Sequence, residues 1–148
     1  MQTRKASGTD LSDIHDLLGA NGLPIVDVSV TLIEGFLVAV DSRGSVIGCA
    51  GLEPLGSSVL LRSLAVAPES RGTGIARMLV TRLEDIARSC NRETVWLLTT
   101  TAEKFFERSG YERISRNDLP CEVQSCRQFV GLCPSSAICM RKRLGAVA

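Results

Sequence analysis

The sequence predicts an α/β fold built on a mixed, mostly antiparallel sheet of six or seven strands. Two observations predict this fold. In the first half of the chain, apolar runs of strand length are separated by short turns, which is typical of antiparallel strands joined by hairpins. In the second half, a strand leads through a glycine-bearing turn into an amphipathic helix and then into another buried strand, an order that predicts one parallel pair.

Length and composition favour one globular domain over residues 1–148, with 45% hydrophobic and 22% charged residues. No apolar run reaches the roughly 20 residues that span a bilayer. Basic residues at the N-terminus are not followed by an apolar stretch, so we expect no secretion signal and a cytoplasmic protein. A formal net charge of +1 leaves no electrostatic footprint for nucleic acid. We therefore expect neither a membrane nor a nucleic-acid partner.

The first predicted helix follows a short N-terminal strand. Thr9 or Asp10 is suited to cap it, and Gly19 is suited to end it. Its apolar residues recur at helical spacing: Leu11, Ile14, Leu17 and Leu18. A short second segment opens at Pro24 and runs through Leu32.

Three strands are predicted next, over residues 36–40, 45–52 and 59–66. The first two flank Asp41-Ser42-Arg43-Gly44, a segment whose turn chemistry predicts a hairpin. The third follows a turn that contains Pro54, and it extends the antiparallel sheet.

The rest of the chain is predicted to alternate helices and strands. Residues 74–90 carry apolar side chains on one face, which predicts an amphipathic helix. A helix over 102–109 ends at Gly110, a residue suited to a left-handed cap. The remaining predicted elements are a strand over 94–99, a strand over 111–115, a helical turn within 120–126 and a last strand over 137–144.

The cysteines give no disulfide framework and no metal-binding pattern. Zinc sites usually contain C-x-x-C pairs, and His15 is the single histidine of the chain. The six cysteines lie far apart, at Cys49, Cys90, Cys121, Cys126, Cys133 and Cys139. We therefore expect reduced thiols and no metal site.

The glycine turn at residues 71–74 is a candidate phosphate site. The first turn of a helix offers free backbone N–H groups with the positive end of the macrodipole behind them, and glycines allow close approach. Arg71 and Arg77 supply positive charge. A Walker loop is excluded because Gly-Lys followed by Ser or Thr is absent, and the dinucleotide pattern fails where Arg77 replaces its third glycine. By itself, such a turn is also compatible with a purely structural role, in which it connects a strand to a helix and binds no ligand.

Two segments carry recognisable motifs. Leu64 to Ala76 is a hydrophobic strand and a proline turn followed by the pattern Gln/Arg-x-x-Gly-x-Gly/Ala, and residues 102–111 form a helix-glycine-aromatic segment. The first resembles the central motif, and the second the downstream signature, of the GNAT superfamily of N-acetyltransferases. The resemblance implies helices on both faces of the sheet, a splayed central parallel pair and acetyl-CoA as cosubstrate. The cofactor-binding residues that it implies are Leu64, Ala65, Val66, Arg71, Gly72, Thr73, Gly74, Ile75, Ala76, Arg77, Thr99 and Phe105.

Two usual catalytic groups of the family are missing from their positions. Many relatives carry a carboxylate on the strand before the glycine turn, but Leu60 to Leu64 contains none. Many also carry a tyrosine in the downstream helix, where Phe106 stands. Glu53 is the nearest candidate general base, and its alternative interpretation is a solvated turn residue. The leaving thiolate then gains its proton from solvent or from Tyr111, although an aromatic residue there usually packs in the core.

Four polar residues are candidates for binding the acceptor. Arg62, inside an apolar strand, needs either a carboxylate partner or a ligand anion, so a structural ion pair and an acidic substrate both stay open. Ser63 shares the face of Arg62 only if a β-bulge interrupts the strand. Thr99 and Thr100 either supply hydroxyls to a ligand or end a strand before a helix cap.

Further stretches carry a resemblance to one subgroup: residues 22–24, 48–54, 60–68, 97–106 and 132–137. They resemble the arsinothricin N-acetyltransferases of arsenic resistance, which are related to phosphinothricin acetyltransferases. This resemblance implies transfer to the α-amine of a small acidic amino-acid analogue, arsinothricin. Open alternatives are phosphinothricin or another small amine, a protein N-terminus, and a non-catalytic acetyl-CoA sensor. Because related small acetyltransferases are commonly dimers, we expect a homodimer.

Overall fold

The computed structural model describes residues 1–127, 129–130 and 136–145. Within them, seven strands form one sheet in the order β1-β2-β3-β4-β5-β7-β6. The strands are β1 (Gln2–Lys5), β2 (Phe36–Val40), β3 (Val46–Leu55), β4 (Ser58–Val66), β5 (Thr94–Thr99), β6 (Glu112–Ile114) and β7 (Ile138–Arg143). The helices are α1 (Leu11–Ala20), α2 (Ile75–Ser89), α3 (Glu103–Arg108) and α4 (Cys121–Gln124).

The strand pairing is mixed and mostly antiparallel. β1 with β2, β2 with β3, β5 with β7 and β6 with β7 run antiparallel. β4 and β5 run parallel and join Val59 to Val95 and Leu60 to Trp96. The predicted mixed sheet and its parallel pair are therefore confirmed.

The chain folds into two compact units. The first comprises residues 1–53 and 62–83, and the second comprises residues 54–61 and 84–148. Strand β4 contributes to both units. The single domain over 1–148 stays a prediction.

In the first unit, α1 buries Ile14, Leu17 and Leu18 in a core with β2. The helix ends in a Schellman motif, in which the Leu23 N–H donates to the Leu18 carbonyl at 2.9 Å. Gly22 supplies the left-handed residue of this motif, with φ of 70°. The predicted end at Gly19 is therefore one residue too early.

The β2–β3 hairpin has the predicted turn. The Asp41 side chain accepts hydrogen bonds from the backbone N–H groups of Arg43 and Ser45, both at 2.9 Å, and Gly44 has φ of 80°. β3 continues to Leu55, three residues beyond its predicted end. It does so because Pro54 is exposed, and at an exposed position the missing N–H breaks no buried hydrogen bond.

In the second unit, β5, β6 and β7 pack with α4 around a small core of Leu60, Leu119, Val123, Cys126 and Cys139. α3 ends as predicted at a left-handed glycine cap, with φ of 95° at Gly110. Residues 131–135, which include most of the last resembling stretch, lie outside the described residues. Among those described, every helix is too short or too polar to cross a bilayer.

Candidate active site

The glycine turn lies between β4 and α2, where the sequence places it. Gly72 and Gly74 have φ of 78° and 83°, and no atom lies within 4 Å of a Cβ built on either glycine. The space in front of their backbone is open. Ile75, which is buried, begins α2 and packs beside Gly48 of β3, so the turn is held at its helical end.

Arg71 is oriented by two neighbouring elements. Its Nη2 donates to Asn21 Oδ1 at 2.6 Å, and its Nε lies 3.4 Å from the Val66 carbonyl oxygen. Asn21 also donates from Nδ2 to the Leu17 carbonyl at 2.8 Å, capping α1. The sequence analysis missed Asn21, although an asparagine beside the Gly22 cap is a signal of a helix terminus. Arg77 is exposed on α2.

β4 is irregular next to the turn. Ser63 adopts a left-handed conformation with φ of 58°, which non-glycine residues seldom take. In a regular strand Arg62 and Ser63 point to opposite faces. Here Arg62 Nε donates to Ser63 Oγ at 3.1 Å, so the irregularity brings the two side chains together.

Arg62 is the centre of a buried ion-pair cluster. Its Nη1 and Nη2 donate to both carboxylate oxygens of Asp27, at 2.6 and 2.8 Å. Its Nη1 also donates to Glu53 Oε1 at 2.8 Å. Burial lowers the pKa of Arg62, but the hydrogen bonds that Arg62 donates to Asp27 and Glu53 outweigh burial, and the net direction of the pKa shift is upward. The contacts favour the ion-pair role of Arg62, and substrate binding by Arg62 stays a prediction.

Asp27 was missed by the sequence analysis. It lies in the connection after α1, between exposed Val26 and buried Val28. The His15 Nε2 contacts the Val28 carbonyl oxygen at 2.6 Å and ties this connection to α1. No local pattern marks Asp27, because its partner Arg62 is 35 residues away in the sequence.

The second unit holds the other predicted site residues. Thr99 Oγ1 accepts a hydrogen bond from the Ala102 N–H at 3.0 Å, which fits the helix-cap interpretation. Thr100 is exposed. Phe105 packs edge-on against Phe106 with ring centroids 5.1 Å apart.

A family model described as an acetyltransferase (GNAT) domain matches residues 33–113. This chain belongs to the GNAT acetyltransferase family. An amino-acid acetyltransferase of Mycobacterium tuberculosis is 34% identical over 136 residues, which cover 85% of this chain and 78% of the relative. This enzyme is therefore an N-acetyltransferase that uses acetyl-CoA, and the prediction of the cosubstrate is confirmed.

Solved structures support the GNAT fold. N-acetylglutamate synthase from Neisseria gonorrhoeae, complexed with coenzyme A and N-acetyl-glutamate, has a TM-score of 0.84 at 22% identity over 97% of this chain. This GNAT chain spans 35% of that synthase chain. A Mycobacterium tuberculosis protein in complex with coenzyme A has a TM-score of 0.82 at 25% identity and covers 97% of this chain and 99% of its own.

The turn of this GNAT enzyme is the predicted site for the pyrophosphate of acetyl-CoA. Gly72 and Gly74 are exposed, with open space on the side where a side chain would stand, and exposed Arg71 adds positive charge beside them. Thr73 Oγ1 donates to the Ser70 carbonyl at 2.6 Å and stiffens the turn. An anion can therefore approach the backbone of the turn closely.

Tyr111 of the GNAT enzyme is committed to a structural network. Its hydroxyl donates to Glu84 Oε2 at 2.9 Å, and Lys142 Nζ donates to Glu84 Oε1 at 3.0 Å. Burial, followed by the Glu84 carboxylate, raises the pKa of Tyr111. Phe106, whose ring meets Tyr111 at 5.3 Å between centroids, is buried and has no hydroxyl. The described contacts thus give Tyr111 the core role that the sequence analysis noted.

Cys49 lies beside the irregular part of β4, where its thiol donates to the Ser63 carbonyl at 3.3 Å. Burial raises the pKa of Cys49 to about 12, so the thiol stays neutral. Within the described ranges no group of three metal-ligating side chains converges, and Cys133 lies outside those ranges.

Proposed function

We propose that this enzyme transfers the acetyl group of acetyl-CoA to the α-amine of a small amino acid of the glutamate type, with Glu53 as general base. The observation that carries the proposal is the placement of Glu53. Its carboxylate is fixed by Arg62 at 2.8 Å, yet 20% of the side chain is exposed, so a ligand can reach it. A half-buried carboxylate that a ligand can reach is suited to accept a proton.

The cofactor residues in this proposal are those of the turn and of the end of β4. Bound acetyl-CoA supplies the activated acetyl thioester. Donors at Gly72 to Ile75, with the charges of Arg71 and Arg77, hold the pyrophosphate, and the backbone of Leu64 to Val66 receives the pantetheine arm. Among the residues of the second unit, Thr99 and Phe105 stay predicted cofactor contacts.

The proton of the acceptor leaves through Glu53. An amino acid arrives as an ammonium ion, and its nitrogen becomes nucleophilic only after it loses a proton. The carboxylate of Glu53 takes that proton directly or through one water molecule. Neither Phe106 nor Tyr111 supplies a proton in this proposal, so the proton of the leaving thiol comes from solvent.

The glutamate type of the acceptor is supported by relatives and by the subgroup resemblance. The Mycobacterium tuberculosis relative bears the name amino-acid acetyltransferase. Arsinothricin, the acceptor that the resemblance implies, is itself a glutamate analogue, and its acetylation would remove the amine charge. The hydroxyls of Ser63, Thr99 and Thr100 stay predicted ligands of the acceptor's anionic groups. The homodimer and the cytoplasmic location are further parts of the proposal, and sedimentation equilibrium tests the former.

A panel of amines tests the proposed function. Release of the coenzyme A thiol is followed with glutamate, arsinothricin, phosphinothricin, glutamine and leucine. We expect the highest kcat/KM among the first three, with arsinothricin identifying the arsenic-resistance branch. Equal kcat/KM values for glutamine or leucine would show that the enzyme does not recognise the acidic side chain of the acceptor. No thiol release with any of the five amines would refute amino-acid acetylation.

A further inference from the structure

The charge of Arg62 is already neutralised inside the protein. Its side chain is 0% exposed, and Asp27, at 6% exposure, binds it through both oxygens. Such a bidentate pair balances one guanidinium with one carboxylate. Any further carboxylate at the cluster is therefore in excess.

Glu53 is that further carboxylate, and it is bound differently from Asp27. It contacts Arg62 through Oε1 alone, and its side chain is 20% exposed. Among the described residues, none donates a hydrogen bond to Oε2 of Glu53. Oε2 is thus the oxygen of the cluster that is free to meet a ligand.

The cluster is anchored from several sides. Asp27 precedes Val28, which is 3% exposed and whose carbonyl oxygen contacts His15 of α1 at 2.6 Å. Arg62 is held at Ser63 through Nε. These contacts fix the guanidinium, and the guanidinium in turn fixes Oε1 of Glu53.

We propose that Asp27 and Arg62 are positioning residues that orient Glu53, leaving a net charge of −1 whose free oxygen receives the ammonium group of the acceptor. This inference rests on the proposed function and deepens it. The cluster recognises the cationic end of an amino acid, whereas the sequence left two roles open for Arg62, an ion pair and a ligand for an anionic end.

The proton transfer balances without another reactant. Oε2 of Glu53 forms an O–H bond with an ammonium hydrogen as the N–H bond breaks. The electron pair of that bond stays on nitrogen, which becomes the neutral nucleophile. The negative charge of Asp27 offsets the positive charge of Arg62. Without this offset, Arg62 would stabilise the ionised carboxylate of Glu53 so strongly that proton uptake would be disfavoured.

Two neutralising substitutions test this arrangement through the acidic limb of the pH dependence of kcat/KM for the amine. Among the described residues, Arg62 is the charged group in contact with Glu53, and Asp27 is the one behind it. Asp27→Asn leaves an unbalanced cation, so the limb moves to lower pH by about one unit. Arg62→Gln leaves two carboxylates, so the limb moves to higher pH. Both lower kcat/KM for the amine about 10- to 100-fold, while KM for acetyl-CoA stays unchanged.

The matched control is Asp16→Asn, which removes an exposed carboxylate from α1 and moves nothing. Glu53→Gln tests the general-base role of Glu53 separately from the positioning role of Asp27 and Arg62, because it removes the acidic limb if Glu53 is the base. Suppose that the acidic limb disappears in Glu53→Gln but does not move in Asp27→Asn or Arg62→Gln. This result overturns only the positioning role of Asp27 and Arg62. A limb that persists in Glu53→Gln overturns the base and the positioning role together.

One outcome would restore Arg62 as an anion ligand. In that case Arg62→Gln raises KM for glutamate far more than KM for leucine, and the limb does not move. If Arg62→Gln fails to fold, Asp27→Asn decides alone: a limb at lower pH supports the proposal and an unmoved limb overturns it.

Discussion

At the residue scale, Gly74 has a left-handed conformation in the glycine turn that we propose as the cofactor site. A side chain at this φ costs roughly 1–2 kcal/mol wherever it occurs, so a stability loss alone would say nothing about cofactor binding. Gly44 offers a comparison, since its φ of 80° and open surroundings match the 83° of Gly74. It lies in the β2–β3 hairpin turn, apart from the glycine turn in sequence.

We expect Gly74→Ala to raise KM for acetyl-CoA at least tenfold, on the order of one lost charge-assisted hydrogen bond. Gly44→Ala should lower the free energy of unfolding by a similar amount but leave KM unchanged. Steady-state kinetics and urea unfolding measure both quantities. Equal KM values for the two variants would mean that the turn at Gly74 does not hold the cofactor.

Asp10 contributes stability whose pH dependence follows from its surroundings. The Arg4 guanidinium, at 2.7 and 2.9 Å from the two oxygens, holds the pKa of Asp10 at about 2, helped by the Ser7 N–H. Because the folded pKa lies below the unfolded value of about 3.9, the stabilisation is complete above that value and disappears as the pH falls towards 2.

We therefore expect Asp10→Asn to cost about 1 kcal/mol at pH 7, a modest figure because nearly half of the Arg4 side chain is exposed. The difference from the wild type should shrink between about pH 4 and pH 2. Asp85→Asn is the control, since its pair with Arg88 is exposed and should contribute close to nothing. A difference for Asp10→Asn that does not change with pH would contradict the assigned ion pair.

The roles of single residues were the least predictable part of the site. The sequence narrows Arg62 to an ion pair or a ligand, because a lone cation in an apolar strand needs an anion. It cannot choose between them, since Asp27 reaches Arg62 only through the folding of the connection after α1. For Ser63 the prediction was conditional: its side chain can lie on the same side as Arg62 only if the strand is irregular there. The structure contains this irregularity.

At the element scale, the end of α1 contacts the proposed cofactor turn. Asn21 caps the helix through Nδ2 and holds Arg71 through Oδ1. We expect Asn21→Ala to raise KM for acetyl-CoA about three- to tenfold, because Arg71 loses the contact that orients it. Asn21→Asp keeps the acceptor for Arg71 but loses the cap and adds a negative charge beside Arg71, so it should lower stability and also raise KM for acetyl-CoA. A lower KM in Asn21→Ala would show that Asn21 competes with the cofactor for Arg71.

Elements with strong local signals were predicted well. β2 and β5 have the predicted bounds, because each is a continuous apolar run between turn residues. The end of α1 was misjudged since two glycines, Gly19 and Gly22, compete as caps and only the tertiary fold selects between them. The 3-10 turn at Leu32–Gly35 carries no periodic signal and was missed.

At the scale of the whole molecule, two motifs at their family spacing predicted the fold and the cosubstrate before any contact was known. The proposed acceptor site is different, because its side chains converge from distant segments of the chain. Glu53, Arg62 and Asp27 lie in one unit but come from two strands and a connection. Their net charge of −1 is a property of the assembled fold.

The central claim is that the α-amine of a glutamate-type amino acid is acetylated at the Glu53 cluster. Glutamate and glutarate form a matched pair of substrates, since glutarate has both carboxylates and lacks only the amine. The most direct measurement is coenzyme A thiol release with each compound, with mass spectrometry of the product. The account predicts release and N-acetylglutamate with glutamate, and no release above background with glutarate. Equal release with both, or an unmodified amine after release, would contradict it.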